Sequence, residues 1–244
     1  MRTSIVTGGT SGIGLAVVER LVAAGYHVHA LGLPDRHLAA LEGRQAITTA
    51  AIDVRDTVAL RSFVGSVDAD VLVNNAGTIG ALASADGFPA EAADALIDIN
   101  LRAAVHATLA VLPGMAARRS GHIVFTGSIA ATRPTANTAV YSATKAAVAA
   151  FADGLRLDLH GTGVRVTVLN PGRVETALYD AALGGPDAAA KQLYRGVQAL
   201  TPADVADLVA LAIAAPPHVD ITRIEVVPTG QVYGGAMIWQ TPTD

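Results

Sequence analysis

The sequence predicts an α/β protein: a doubly wound parallel sheet of about seven strands with helices on both faces. Three observations predict it. Short β-branched runs alternate with longer Ala/Leu-rich segments along all 244 residues. Strand candidates such as Val71-Leu72-Val73 and Ile123-Val124-Phe125 are apolar throughout, the pattern of strands buried on both faces. No Pro/Gly-rich linker and no shift in composition divides the chain, so residues 1–244 read as one domain.

The elements follow in order. Ser4 to Thr7 is the first strand, and a glycine-rich turn passes it into a helix over Gly12 to Ala24. His27 to Leu31 is the second strand, followed by a short helix over Arg36 to Leu41. Ala46 to Asp53 and Val71 to Asn74 are the third and fourth strands, with a helix over Thr57 to Ser66 between them. The long apolar segments Ala90 to Ala117 and Ala139 to His160 are helices flanking a fifth strand, His122 to Thr126. Val164 to Leu169 is the sixth strand, Pro202 to Ala214 the last helix and Ile221 to Val227 the last strand. Pro216-Pro217 stops that helix, and Leu183-Gly184-Gly185-Pro186-Asp187 reads as a loop.

Composition narrows the function classes. Apolar residues are 51% and charged residues 16%, enough for a packed core and unlike a disordered chain. With aromatics at 4%, that core is built mainly of Ala, Val, Leu and Ile. A formal net charge of -4 gives no basic footprint for nucleic acid. The absence of cysteine excludes a disulfide scaffold, a thiolate metal site and a cysteine nucleophile. Met1-Arg2-Thr3-Ser4 leads straight into a strand with no signal-peptide stretch, and no charge-free run of about 18 apolar residues is present. The expectation is a soluble, cytoplasmic protein with no membrane partner.

The turn after the first strand reads Thr7-Gly8-Gly9-Thr10-Ser11-Gly12-Ile13-Gly14. Glycines permit a tight turn and close backbone approach, and a helix N-terminus offers unpaired N–H groups to a pyrophosphate. Gly8, Thr10, Ser11, Gly12, Ile13 and Gly14 are therefore candidate nucleotide contacts; the alternative is an ordinary strand-to-helix turn. It is not a P-loop, because no Gly-Lys-Ser/Thr closes it. Asn75, Ala76 and Gly77, after the fourth strand, are small enough for a nucleotide to pass beside them. Asp53-Val54, after the third, offers a carboxylate to an adenine amino group, or a helix cap.

Tyr141 and Lys145 lie four residues apart and so share a helix face. A free tyrosine titrates near about pH 10, and a nearby ammonium is expected to lower that value and make the phenol a usable acid/base. Ser128, thirteen residues before Tyr141 and just past the fifth strand, can hydrogen-bond a carbonyl or alkoxide oxygen there. A surface pair supporting a helix is the alternative for Tyr141 and Lys145.

Taken in order, Thr7-Gly8-x-x-x-Gly12-x-Gly14, Asn74-Asn75-Ala76-Gly77, Ser128, Tyr141-x-x-x-Lys145 and Pro171-Gly172 resemble the short-chain dehydrogenase/reductase family, from Thr3 to about Gln231. The resemblance implies a Rossmann-like fold and an NAD(P)-dependent alcohol dehydrogenase or ketoreductase. It implies that Tyr141 exchanges a proton with the substrate oxygen, that Ser128 holds that oxygen, and that Lys145 lowers the tyrosine pKa and binds the nicotinamide ribose. It further implies a water relay supported by Asn100, and a nicotinamide lined by Pro171, Gly172, Val174 and Thr176.

The second strand is expected to end beside the adenine ribose, where an acid favours NAD. Here Gly32 stands where that aspartate is expected and Leu33 where NADP enzymes often carry arginine. Asp35 either reaches the ribose or caps the next helix, and Arg36 either pairs with a 2′-phosphate or lies in solvent. Missing acid and nearby arginine tilt the reading to NADP(H) over NAD(H). A substrate lid is expected over about residues 175–200, with Leu178, Tyr179, Leu183, Leu193 and Tyr194 facing Thr78 to Leu82, or else as ordinary core. The substrate class is a small secondary alcohol or its ketone. Leu157 to Thr162 and Val227 to Gln231 resemble NADP-dependent enzymes acting on hydroxy acids and other small alcohols.

Other readings compete. His27 and His29 share a strand face without a third ligand, so no metal is expected. Gly127-Ser128-Ile129-Ala130 is not a nucleophile elbow. The serious rival is a non-catalytic NAD(P)-sensing regulatory or binding protein on the same fold; an epimerase or dehydratase is a lesser one. Apolar residues on more than one face of the two long helices, and an apolar tail over Val232 to Trp239, predict a homotetramer as in relatives of the family.

Overall fold

The structure, a computed structural model, describes residues 1–194 and 198–231. Seven strands form one parallel sheet: β1 (Arg2–Thr7), β2 (Tyr26–Gly32), β3 (Ile47–Ala51), β4 (Val71–Asn74), β5 (Gly121–Thr126), β6 (Val164–Pro171) and β7 (Arg223–Val226). Their order is β3-β2-β1-β4-β5-β6-β7. Every neighbouring pair is parallel. Ile5, Val6, Leu72, Val73, Ile123 and Val124 have no exposed surface, which accounts for the continuous apolar runs: these strands are covered on both faces.

The two faces carry separate cores. On one, α3 (Thr57–Ser66), α5 (Ala103–Ala117) and α6 (Ala139–Asp158) pack Leu60, Val111, Met115 and Val148 on Leu72, Ile123 and Phe125. On the other, α1 (Gly12–Ala23) and α9 (Pro202–Ala214) pack Val17, Val18, Leu21, Val205 and Val209 on Val6, Val28 and Val124. Local chemistry sets the helix starts. Asp56 caps α3 by accepting from Val58 and Ala59 N–H, and Thr201 with Asp204 forms a capping box ahead of Pro202.

The predicted helix over Ala90 to Ala117 is present as α4 (Ala90–Ile97) and α5, joined by a π-helical turn over Asp98–Arg102. This run is long and apolar enough, by length and composition, to cross a membrane. Here it lies against the sheet and buries the polar Asn100 and Thr108 along with Ala103, Ala107, Val111 and Met115.

Three sequence expectations need correction. The third strand is shorter than expected: Ala46 takes a left-handed conformation (φ 61°), and Asp53 lies past the strand end. The last strand is trimmed to Arg223–Val226. The segment read as a loop, Leu183 to Asp187, is irregular only at Gly184-Gly185, which join the one-turn helices α7 (Asp180–Leu183) and α8 (Pro186–Ala189). Both glycines have positive φ (87° and 117°), so the turn between two short helices replaces a longer loop. The remaining short helix, α2 (Arg36–Ala39), is capped by Asp35, whose carboxylate accepts from His37 N–H at 2.9 Å and Leu38 N–H at 3.1 Å. Val232 to Trp239 lies outside the described residues.

Candidate active site

The strand order reverses between β1 and β4, so the connections leave in opposite directions and open a crevice at the carboxyl ends of the strands. A cleft of about 400 Å³ lies there, walled by the ends of β1, β4, β5 and β6 and by the start of α6.

One end of the cleft is the glycine turn. Gly8 and Gly12 have φ of 62° and 50°, and a Cβ on Gly14 would overlap the Gly8 carbonyl oxygen. Backbone alone therefore fits this surface. Ser11 is the N-cap of α1, yet its side chain caps no amide, and the first turn holds no acidic residue. The N–H groups and positive end of α1 are left to an anion. Thr7 joins this turn to β4: its hydroxyl oxygen accepts from Asn75 N–H at 3.0 Å and Ala76 N–H at 3.1 Å. Asn75 in turn donates to the Gly8 carbonyl at 3.1 Å and accepts from the Thr126 hydroxyl at 3.2 Å.

The other end holds the polar side chains. Ser128 follows β5 and is fixed by Asn170 at the end of β6, whose Oδ1 accepts the Ser128 N–H at 3.1 Å. Its Oγ accepts the Ala130 N–H at 3.1 Å, which leaves the hydroxyl proton free to be donated. Tyr141 and Lys145 share the buried face of α6 and are 8% and 5% exposed. Lys145 Nζ donates to the Thr126 carbonyl at 2.9 Å and lies 5.8 Å from the centroid of the Tyr141 ring. Burial lowers the Lys145 pKa to about 8.

The phenol departs from expectation. Burial pushes the Tyr141 pKa up, the nearby Tyr179 phenol pushes it further, and a hydrogen bond with Ser128 is the opposing influence. The Lys145 ammonium, 5.8 Å from the ring centroid, favours the phenolate as well. In the protein alone, burial outweighs the groups that favour the phenolate.

Asn100 stands one layer behind, in the π-helical turn. Its amide donates to the Thr78 carbonyl at 2.9 Å and to Thr144 Oγ1 at 3.1 Å, and its Oδ1 accepts the Thr78 N–H at 2.8 Å. A Cβ on Gly77 would lie 3.3 Å from Asn100 Oδ1 and 3.4 Å from Lys145 Nζ, so both residues crowd the same point of the cleft wall.

Most sequence candidates meet in this cleft: Gly8, Ser11, Gly12, Ile13, Asn75, Ala76, Gly77, Ser128, Tyr141, Lys145, Pro171, Gly172, Val174 and Thr176 line it. Thr10 and Gly14 support the turn from behind. Asp53 lies outside the lining and forms an ion pair with Arg55, its Oδ1 3.0 Å from Arg55 Nε. Val54 packs against the core below α3 and α5. Arg36 is outside the cleft lining: it is exposed, its Nε 3.5 Å from His37 Nε2, and the neighbouring Asp35 caps α2. From the lid segment, Leu178 and Tyr179 line the cleft, whereas Leu183, Leu193 and Tyr194 do not; residues 195–197 of that segment lie outside the described residues. His27 shares a hydrogen bond of 2.8 Å with Thr48, as a strand-edge histidine does.

Sequence reasoning missed Asn170, Thr7, Thr126 and Thr144. For Thr7, Thr126 and Asn170 the available signal was a polar residue at the carboxyl end of a buried strand, and for Thr144 a hydroxyl on the face of the helix that carries Tyr141, where each must find a partner. Together the groups at this end can hold a substrate oxygen and pass it a proton, while the other end can hold an anion.

A family model described as short chain dehydrogenase matches residues 2–183. The chain is 45% identical over 235 residues, 96% of its length and 94% of the relative's, to the uncharacterized short-chain type dehydrogenase/reductase y4eK of Sinorhizobium fredii. It is 39% identical over 242 residues (96% of this chain, 98% of the relative) to the NADP-dependent 3-hydroxy acid dehydrogenase YdfG of Salmonella typhi. Among solved structures, the closed form of serine dehydrogenase complexed with NADP+ matches with a TM-score of 0.91 at 38% identity, over 96% of this chain and 97% of that one.

Proposed function

The chain belongs to the short-chain dehydrogenase family of NAD(P)-dependent oxidoreductases, and from that premise we propose that it interconverts a small secondary alcohol, of the 3-hydroxy acid class, and its ketone with NADP(H). The observation that carries this reading is the convergence of Ser128, Tyr141 and Lys145 at one end of a cleft whose other end is a side-chain-free turn on a helix N-terminus.

The residues fit the dinucleotide. The amides of the turn and the start of α1 suit its pyrophosphate, and Asn75 to Gly77 give it room. NADP(H) is favoured because no carboxylate stands at the end of β2 to repel a 2′-phosphate, and because similar proteins are named for NADP. When bound, NADP(H) supplies or accepts the hydride. Tyr141 gives its proton to the carbonyl oxygen in reduction and takes it back from the hydroxyl in oxidation. Ser128 donates a hydrogen bond to the same oxygen and holds it against the phenol. Lys145 and Asn100, crowded at Gly77, carry the proton exchange toward solvent. Burial that keeps Tyr141 protonated suits the donor step.

We read the chain as one domain with a lid over about residues 175–200, and as a soluble, cytoplasmic homotetramer. The reading of a homotetramer rests on the apolar residues that α5 and α6 carry on more than one face, Leu109 and Leu157 among them. The test is nicotinamide absorbance with both reduced cofactors and a panel of ketones. The expected result is NADPH-dependent reduction, cut about a hundredfold or more in Tyr141→Phe while NADPH binding persists. A cofactor-binding protein with no turnover on any ketone is the contrary result, and it would favour the regulatory reading.

A further inference from the structure

Around the catalytic end, the lid side of the cleft is formed by Val174, Thr176, Ala177, Leu178, Tyr179 and Ala181, which is apolar apart from Thr176 and Tyr179. Thr176 belongs to the turn end: its methyl faces Gly12, and its hydroxyl oxygen accepts the Leu178 N–H as a cap. Tyr179 belongs to the catalytic end. It packs with Tyr141 in one small cluster, against Ile79 and Leu96, so two phenols border the place where a substrate must lie.

Near Tyr179 stands a half-buried cation. Arg173 follows Gly172, and its Nη1 donates to the Leu193 carbonyl at 2.6 Å. Its backbone N–H is fixed by Gln231 Oε1 at 2.8 Å, and the neighbouring Tyr194 hydroxyl donates to the Val174 carbonyl at 2.9 Å. The guanidinium is thus held in place from several elements without lining the cleft. The Tyr179 and Tyr194 phenols are the ionisable groups near enough to act on it.

We propose that Tyr179 reads a second oxygen of the substrate: the phenol donates a hydrogen bond to a carboxylate near the reacting carbon, and the Arg173 guanidinium, fixed near that phenol, compensates the carboxylate's charge. The inference rests on the dehydrogenase reading of the same cleft and assigns its specificity to this chain's own residues. Burial raises the Tyr179 pKa while Arg173 opposes the rise, so the group remains a polarised donor through neutral pH. Lys145 is tied to the Thr126 carbonyl at 2.9 Å. Tyr179 touches substrate; Arg173 is a positioning residue that acts through it.

The experiment compares 3-hydroxybutanoate with 2-butanol as substrates for oxidation by the full chain. The wild type is expected to favour the acid in kcat/KM. Tyr179→Phe is expected to lower the acid-to-2-butanol ratio of kcat/KM by about tenfold to a hundredfold, mainly through KM for the acid, whatever change in kcat the two substrates share. Arg173→Met is expected to follow Tyr179→Phe, and Arg173→Lys to recover part of the loss, since it keeps the charge. Equal losses on both substrates, no loss on either, or a wild type without preference for the acid would each overturn the assignment. Turnover of 2-butanol in those cases leaves the dehydrogenase reading standing; absence of turnover on every alcohol removes both.

Discussion

A Cβ on Gly32 would stand 2.8 Å from the hydroxyl oxygen of Thr10 and nearer still to its methyl group. Thr10 is 8% exposed and branched at Cβ, so rotation only exchanges one clashing group for another. The end of β2 therefore has no room for the acid that would select NAD. Gly32→Asp is expected to destabilise the fold by about 1–3 kcal/mol through overpacking. Adding Thr10→Ala is expected to restore most of that and to move the kcat/KM ratio toward NADH. Thermal unfolding and the cofactor ratio check this; a Gly32→Asp protein as stable as wild type would show that Thr10 imposes no such limit.

Because Tyr141 is held protonated by burial, with Tyr179 adding to the effect, its ionisation in the protein alone is expected above pH 10. The tyrosinate absorbance difference between wild type and Tyr141→Phe measures it directly. Saturating NADP+, whose ring carries a positive charge, is expected to bring the titration down, and NADPH is not. A phenolate signal near neutrality without nucleotide would mean that Lys145 outweighs burial.

Lys145 gives a stability prediction with a definite sign. Its pKa falls from 10.5 to about 8 on folding, so between those values the unfolded chain binds more protons than the folded one. Stability then rises with pH across that window, and below it the buried ammonium carries its full cost. Against Lys145→Met, the wild type is expected to gain on the order of 3 kcal/mol between pH 8 and 10.5. Denaturant midpoints for the two proteins across that range decide the point; parallel pH profiles would count against it.

Asn170 shows where sequence reasoning stops. β1 and β4 to β6 were legible because burial on both faces leaves continuous apolar runs, and the glycine turn and Tyr141-x-x-x-Lys145 were legible because their chemistry is local. Asn170 acts across 42 residues on Ser128, a relation that depends on β5 and β6 being neighbours. The same holds for the sign of the Tyr141 shift, which depends on burial and on Tyr179. Spacing brings residues to a face; it does not say how deeply they are buried there.

That relation can be tested. Asn170→Ala leaves the Ser128 N–H without its acceptor and opens space beside Gly127, where a Cβ would now overlap Asn170 Oδ1. The expected result is a loss of about 1–3 kcal/mol in stability, with kcat reduced about tenfold as Ser128 loosens and KM for NADPH little changed. Asn170→Asp, which keeps the acceptor, is expected to retain more activity. Unchanged kcat in Asn170→Ala would mean that Ser128 is positioned by other groups.

Ser11 sets stability against function at one residue. It caps α1 by position but not by hydrogen bond, and no acid occupies the first turn, although either feature would stabilise a helix of 12 residues. Ser11→Asp is expected to strengthen α1 by about 0.5–1 kcal/mol. The same carboxylate would lie in the cleft wall beside Gly12 and Ile13, where the proposed pyrophosphate needs the amides and the positive field. NADPH affinity is therefore expected to fall by about tenfold or more, as one like charge at close range requires. Fluorescence titration of NADPH and thermal unfolding should move in opposite directions in this variant. If affinity survives, the turn at Ser11 does not hold the phosphates and the cofactor lies elsewhere in the cleft.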